Sequence, residues 1–129
     1  MEEYGEYKRH WKRRAERERR ERKALAAEAR AEARKLGELL VQEFGATRVY
    51  LFGSLVRDGA FHGRSDIDLA VEGIAPAQFF KAGAALARAC GYRYRVELVE
   101  LETVGQGMRN LILTEGVVLY DRTGNPPAH

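Results

Sequence analysis

Cysteine is nearly missing: Cys90 is the one thiol in 129 residues. An internal disulfide is therefore excluded, and a reducing compartment is expected. Three scattered histidines, His10, His62 and His129, add no ligand spacing of the zinc type. Apolar runs are short, and none approaches the ~20 residues that a membrane-spanning helix requires. The opening MEEYGEYKRH has no apolar signal core, so the expectation is a cytoplasmic protein that does not enter a membrane. Internal repeats and Gly/Ser linkers are also missing, which leaves a single domain of ordinary size.

What is present is charge, and it is unevenly placed. Apolar residues make up 45% and charged residues 32%, the balance of a water-soluble globular chain. The net charge is +3, yet residues 1–35 hold 13 Lys/Arg against 8 Asp/Glu, and the remaining 94 residues hold 9 against 11. The basic excess thus belongs to the N-terminal segment and does not adjoin, in sequence, the candidate site described below. The eight glutamates of that segment dilute the positive field that phosphate binding needs, which argues against nucleic acid as its partner. An RNA end remains open as an acceptor.

Periodicity supplies the elements. From about Tyr7 to Phe44 the chain reads as one long helix, or two in series, closed by Gly45. Leu25, Ala29, Ala33, Leu36, Leu40 and Phe44 recur at three- or four-residue steps and form its core-facing stripe. The stretch KRHWKRRAERERRERK before it carries only Trp11 and Ala15 as apolar residues. It reads as a solvated helical extension, or as a docking arm anchored by Trp11. Strands follow at about Thr47–Phe52 and Asp66–Val71, a helix opens near Pro76 and closes at Gly91, and a third strand covers about Tyr94–Val99. Thr103 and Gln106 have capping-box spacing before a helix with Val104, Met108, Leu111 and Ile112 on one side. Gly116 ends that helix, and Val117–Tyr120 forms a last strand. The expected division is a charged extension over 1–24, a catalytic domain over 25–121 and a flexible tail over 122–129. The fold class is α/β of the α+β kind: a three- or four-stranded mixed sheet with helices mainly on one face.

The chemistry concentrates between Val49 and Leu69, VYLFGSLVRDGAFHGRSDIDL. An apolar strand runs into Gly53-Ser54, where a residue without Cβ lets backbone approach a ligand and a hydroxyl follows at once. Asp66 and Asp68 stand at i and i+2, so on a strand both project from one face, with Cα atoms about 7 Å apart. Two hard carboxylates beside a glycine–hydroxyl turn suit a Mg²⁺-bound nucleoside triphosphate. Arg57 offers a fork of donors to phosphate oxygens, or else pairs with Asp58 or Asp66. Ser65 is a brace for the loop through a side-chain to backbone bond.

Gly53, Ser54, Arg57, Asp66 and Asp68 together resemble the motif of the minimal nucleotidyltransferases (MNT) of the polymerase-β superfamily: GS, an arginine after two residues, a loop, then DxD. The resemblance covers roughly Leu36 to Asp121. It implies the nucleotidyltransferase fold, with Gly53, Ser54, Arg57 and Ser65 as nucleotide-binding residues. It also implies Asp66 and Asp68 as ligands of Mg²⁺, with Mn²⁺ an acceptable substitute, and ATP as substrate. A third carboxylate is expected from the next strand, where the family shows aspartate in a VDLV-like run. This chain has Val96-Glu97-Leu98-Val99, which makes Glu97 the candidate third ligand and general base, with a solvated edge position as the alternative. Stand-alone chains of this size resemble the antitoxin half of HEPN/MNT toxin–antitoxin systems, in which a tyrosine of the HEPN toxin receives AMP. The expected partner is a HEPN-type toxin from a neighbouring gene, and a homo-oligomer is left open. The alternatives are a binding-only antitoxin or regulator, and a nucleotidyltransferase acting on a small molecule such as an antibiotic.

Overall fold

The structure, a computed structural model, describes residues 2–57, 60, 61 and 66–122. Helix α1 runs unbroken from Glu2 to Phe44, 43 residues, about 65 Å at 1.5 Å per residue. It is one helix rather than two because the stretch has no proline and is built almost wholly from Ala, Arg, Glu, Lys and Leu, all strong helix formers. Gly45 closes it at φ 73°, donating its N–H to the Val41 carbonyl at 3.2 Å. Ala29, Ala33, Leu36 and Leu40 are buried, as their spacing requires. Leu25 is not: it is 41% exposed, and Ala26 takes the inward position one residue on. Ala26 is the first buried residue of α1, so the earlier turns carry no core side chain among the described residues.

Four strands form one sheet in the order β3-β2-β1-β4. Strand β1 (Arg48–Phe52) pairs antiparallel with β2 (Ile67–Glu72) and with β4 (Val117–Asp121), and β2 pairs parallel with β3 (Val96–Glu100). The parallel pair needs a crossover, and α2 (Phe79–Ala89), entered through a 3₁₀ turn at Pro76–Gln78, provides it. Alternation along the strands sorts the core into two layers. Val49, Leu51, Ile67, Leu69 and Val71 face α1 and α2, where Leu36, Leu40, Leu86 and Cys90 meet them. Tyr50, Phe52 and Ala70 face the other way, under Leu101 and Ile112.

Helix α3 (Gln106–Glu115) covers that second face, and its start differs from the expected capping box. Gly105 occupies the N-cap without a side-chain bond, and the Thr103 hydroxyl donates to the Glu100 carbonyl at 3.4 Å. Thr103 is taken up by the turn that leaves β3, two residues before the N-cap position. Met108 and Leu111 are 43% and 45% exposed, so only Ile112 of the expected apolar side reaches the core. Among the described residues no helix is long and apolar enough to cross a membrane.

Candidate active site

Register builds the site. Phe52, the last residue of β1, lies opposite Asp68 in β2, and Asp68 lies opposite Glu97 in β3. The end of β1 and the starts of β2 and β3 therefore meet at one end of the strands. Ile67, Leu69 and Leu98 pack into the α1 layer, so Asp68 and Glu97 project from the opposite face by the two-residue alternation of a strand. Asp66 stands just before β2 and completes the group. Carboxylate oxygens of Asp66, Asp68 and Glu97 all lie within 4.8 Å of one another.

Such crowding has an electrostatic cost, and Asp68 carries it. Burial pushes its carboxyl up from 3.8 to about 6, and the negative charges of Glu97 and Asp66 add to the shift. A side-chain hydrogen bond with Glu97 acts in the same direction, while the Arg57 guanidinium acts against it. Three convergent carboxylates, one of them holding its proton toward neutrality, are a donor set that a hard divalent cation relieves. These oxygen atoms could together hold a hard divalent cation, and Glu97 reaches the group despite its extra methylene.

Gly53 follows β1 directly and opens a 3₁₀ turn, Gly53–Val56. Its φ of 78° lies in the left-handed region, and a Cβ built there would run into the Asp68 carboxylate. The glycine thus answers two demands at once, a backbone conformation and contact with an acidic group of the site. Ser54 is half-buried in the turn, and its carbonyl accepts the Arg57 N–H at 3.3 Å. Arg57 is exposed at the end of the turn. Ser65, with Asp58 and His62, lies outside the described residues. Glu102 is taken up elsewhere: it accepts the Gly73 N–H at 2.9 Å.

The structure also corrects the placement of the basic residues. Arg19, Arg22, Lys23 and Arg30 of α1 converge with Arg57 and Phe61 around a cavity of about 350 Å³. Arg30 ties helix to site turn, its Nη1 donating to the Leu55 carbonyl at 3.2 Å. In sequence these cations are a whole strand and loop away from Arg57; their spacing at 19, 22/23 and 30, which puts them on one helix face, was the available signal.

A model of the family described as polymerase beta, nucleotidyltransferase matches residues 34–125. The chain belongs to that family. Its sheet order, the Gly53 turn and the acidic cluster are this nucleotidyltransferase's own version of the fold. Among solved structures, a described minimal nucleotidyltransferase is 26% identical, with 71% of this chain and 93% of that one covered and a TM-score of 0.58. A mutant of the toxin–antitoxin pair MntA–HepT is 28% identical over 67% of this chain and 70% of that chain, TM-score 0.57. A toxin–antitoxin with AMP-PNP is 27% identical over 70% and 73%, TM-score 0.56. These likenesses place the nucleotidyltransferase among the minimal members of the family. No curated protein matches it.

Proposed function

We propose that this nucleotidyltransferase transfers AMP from ATP to a hydroxyl, and that the acceptor is a tyrosine of a HEPN-type toxin for which it serves as antitoxin. The observation that carries the reading is the convergence of Asp66, Asp68 and Glu97 within 4.8 Å, against a glycine turn that a side chain would block. Asp66, Asp68 and Glu97 would hold Mg²⁺ or Mn²⁺, which, when bound, polarises the α-phosphate and offsets charge on the leaving group. Backbone N–H groups at Gly53 and Ser54, with the Ser54 hydroxyl, hold the phosphates, and Ser65 braces the loop. Arg57 draws the phosphate oxygens by a charged fork. The acceptor oxygen attacks the α-phosphorus and the bond to the β-phosphate oxygen breaks. Pyrophosphate takes that electron pair, and the hydroxyl proton passes to Glu97 as general base.

The partner assignment draws on the toxin–antitoxin complexes among the structural relatives. In this reading residues 25–121 are the catalytic domain and the charged turns over 1–24 an added arm. The test is intact-protein mass spectrometry of the chain with ATP, Mg²⁺ and the product of the neighbouring gene. Addition of AMP to that partner, lost with Asp66→Asn/Asp68→Asn, is the expected result. A second reading, a binding-only antitoxin, is favoured by one observation: Glu97 stands where the family places aspartate, and it is exposed. A stable complex that silences the toxin, with no mass gain from any ribonucleotide, would select it.

A further inference from the structure

The cavity between α1 and the site turn has a wall of one sign. Arg19, Arg22, Lys23, Arg30 and Arg57 line it, and among the described residues no carboxylate does. None of the five forms an ion pair among the described residues. Two acids of the same helix that could have quenched them are engaged elsewhere, Glu18 with Arg14 and Glu32 with Arg93. Arg30 uses one donor on Leu55 and keeps the rest. Five like charges around one hollow repel each other, and that arrangement is relieved by a multivalent anion.

We infer that this cleft is a polyphosphate site, in which α1 supplies the cations for the β- and γ-phosphates of a nucleoside triphosphate or for the pyrophosphate product. The inference rests on the nucleotidyltransferase reading above and adds residues to it. Arg19, Arg22, Lys23 and Arg30 all precede residue 34, where the family match begins, so the site is an addition carried by this chain's own helix. Arg57 belongs to both places: it lines the cleft, and its charge acts on Asp68. Arg57 thus links the cleft electrostatically to the acidic group. The occupant is compact because the volume is that of a small-ligand pocket. It carries several charges because a single phosphate would leave most of the five cations unmatched. Arginine predominates, and its planar fork matches phosphate oxygens in pairs. Arg19, Arg22 and Lys23 also lie before Ala26, so they contribute to the cleft without contributing to the core.

The test is calorimetric titration of the full chain in chelator, so that no metal is involved. The probes are inorganic tripolyphosphate, AMP and a short single-stranded RNA. The variant is Arg19→Gln/Arg22→Gln/Lys23→Gln, which keeps helix-forming residues, with circular dichroism as the check on folding. Tripolyphosphate binding at least tenfold weaker in the triple variant, with AMP unchanged, is the expected result; Arg22→Lys alone retains most of the affinity. Asp66→Asn/Asp68→Asn binds tripolyphosphate at least as well as wild type, even though it is expected to abolish transfer, so the two readings fail separately. Equal tripolyphosphate affinity in wild type and triple variant overturns the inference. So does RNA binding that depends on the three cations and that tripolyphosphate does not displace, since the cleft would then belong to a nucleic acid.

Discussion

Replacing Gly53 by alanine separates two costs that the structure places at one residue. The first is backbone: φ of 78° in an L-residue costs about 1–2 kcal/mol. The second is steric, because the new Cβ occupies the position of the Asp68 carboxylate and the carboxylate must move. Gly45 is the control. It has nearly the same φ, 73°, but open space where a Cβ would go. Gly45→Ala should therefore lose only the backbone term, a Tm decrease of roughly 4–8 °C at about 4 °C per kcal/mol. Gly53→Ala should lose at least as much and, in addition, weaken Mn²⁺ binding about 10–100-fold, the usual scale for a displaced ligand geometry. Thermal melts and calorimetric metal titration of both variants measure the two terms. If Gly53→Ala matched Gly45→Ala in both stability and metal affinity, the packing of Gly53 against the acidic site would be wrong.

Asp68 gives a pH signature. Its folded-state value, about 6, lies above 3.8, so the folded protein binds more protons and the metal-free chain loses stability as pH rises from 3.8 to 6. Melts of wild type against Asp68→Asn should show that decline only in wild type, and at pH 7 the variant should melt higher while lacking transfer activity. Glu97→Gln should lower turnover by about 10²-fold or more, the scale of a missing general base. Glu97→Asp should keep activity within tenfold in the same rate assay, and a loss equal to that of Glu97→Gln would show that this site requires the longer side chain. Removing residues 2–24 should leave the melt of the domain within a few degrees, since burial in α1 starts at Ala26, while tripolyphosphate binding falls.

Much of the fold was legible because it rests on local patterns. The 3-4-3-4 spacing of Ala26, Ala29, Ala33, Leu36 and Leu40 gives the buried helix face, and glycines at 45, 73 and 91 stand at left-handed turns where the elements end. That the stripe begins at Ala26, with Leu25 outside, was not legible, because either residue satisfies the period. Thr103–Gln106 had capping-box spacing, but the exit turn from β3 claimed Thr103 first. In the site, the i,i+2 aspartates and the Gly53-Ser54 turn could be read directly. Glu97 needed the family resemblance, since its approach to Asp68 depends on the parallel register of β2 and β3, 29 residues apart in sequence. The basic cleft was not seen at all: it forms only when α1 folds back over a loop from another part of the chain.

Transfer of a nucleotidyl group can be followed by the fate of the phosphates. The chain, its candidate partner and Mg²⁺ are incubated in parallel with ATP labelled at the α- or at the γ-phosphate. Nucleotidyl transfer leaves α-label on the acceptor and γ-label in pyrophosphate, both lost with Asp66→Asn/Asp68→Asn. Incorporation of γ-label, or of neither label by a partner that binds and is silenced, would contradict it.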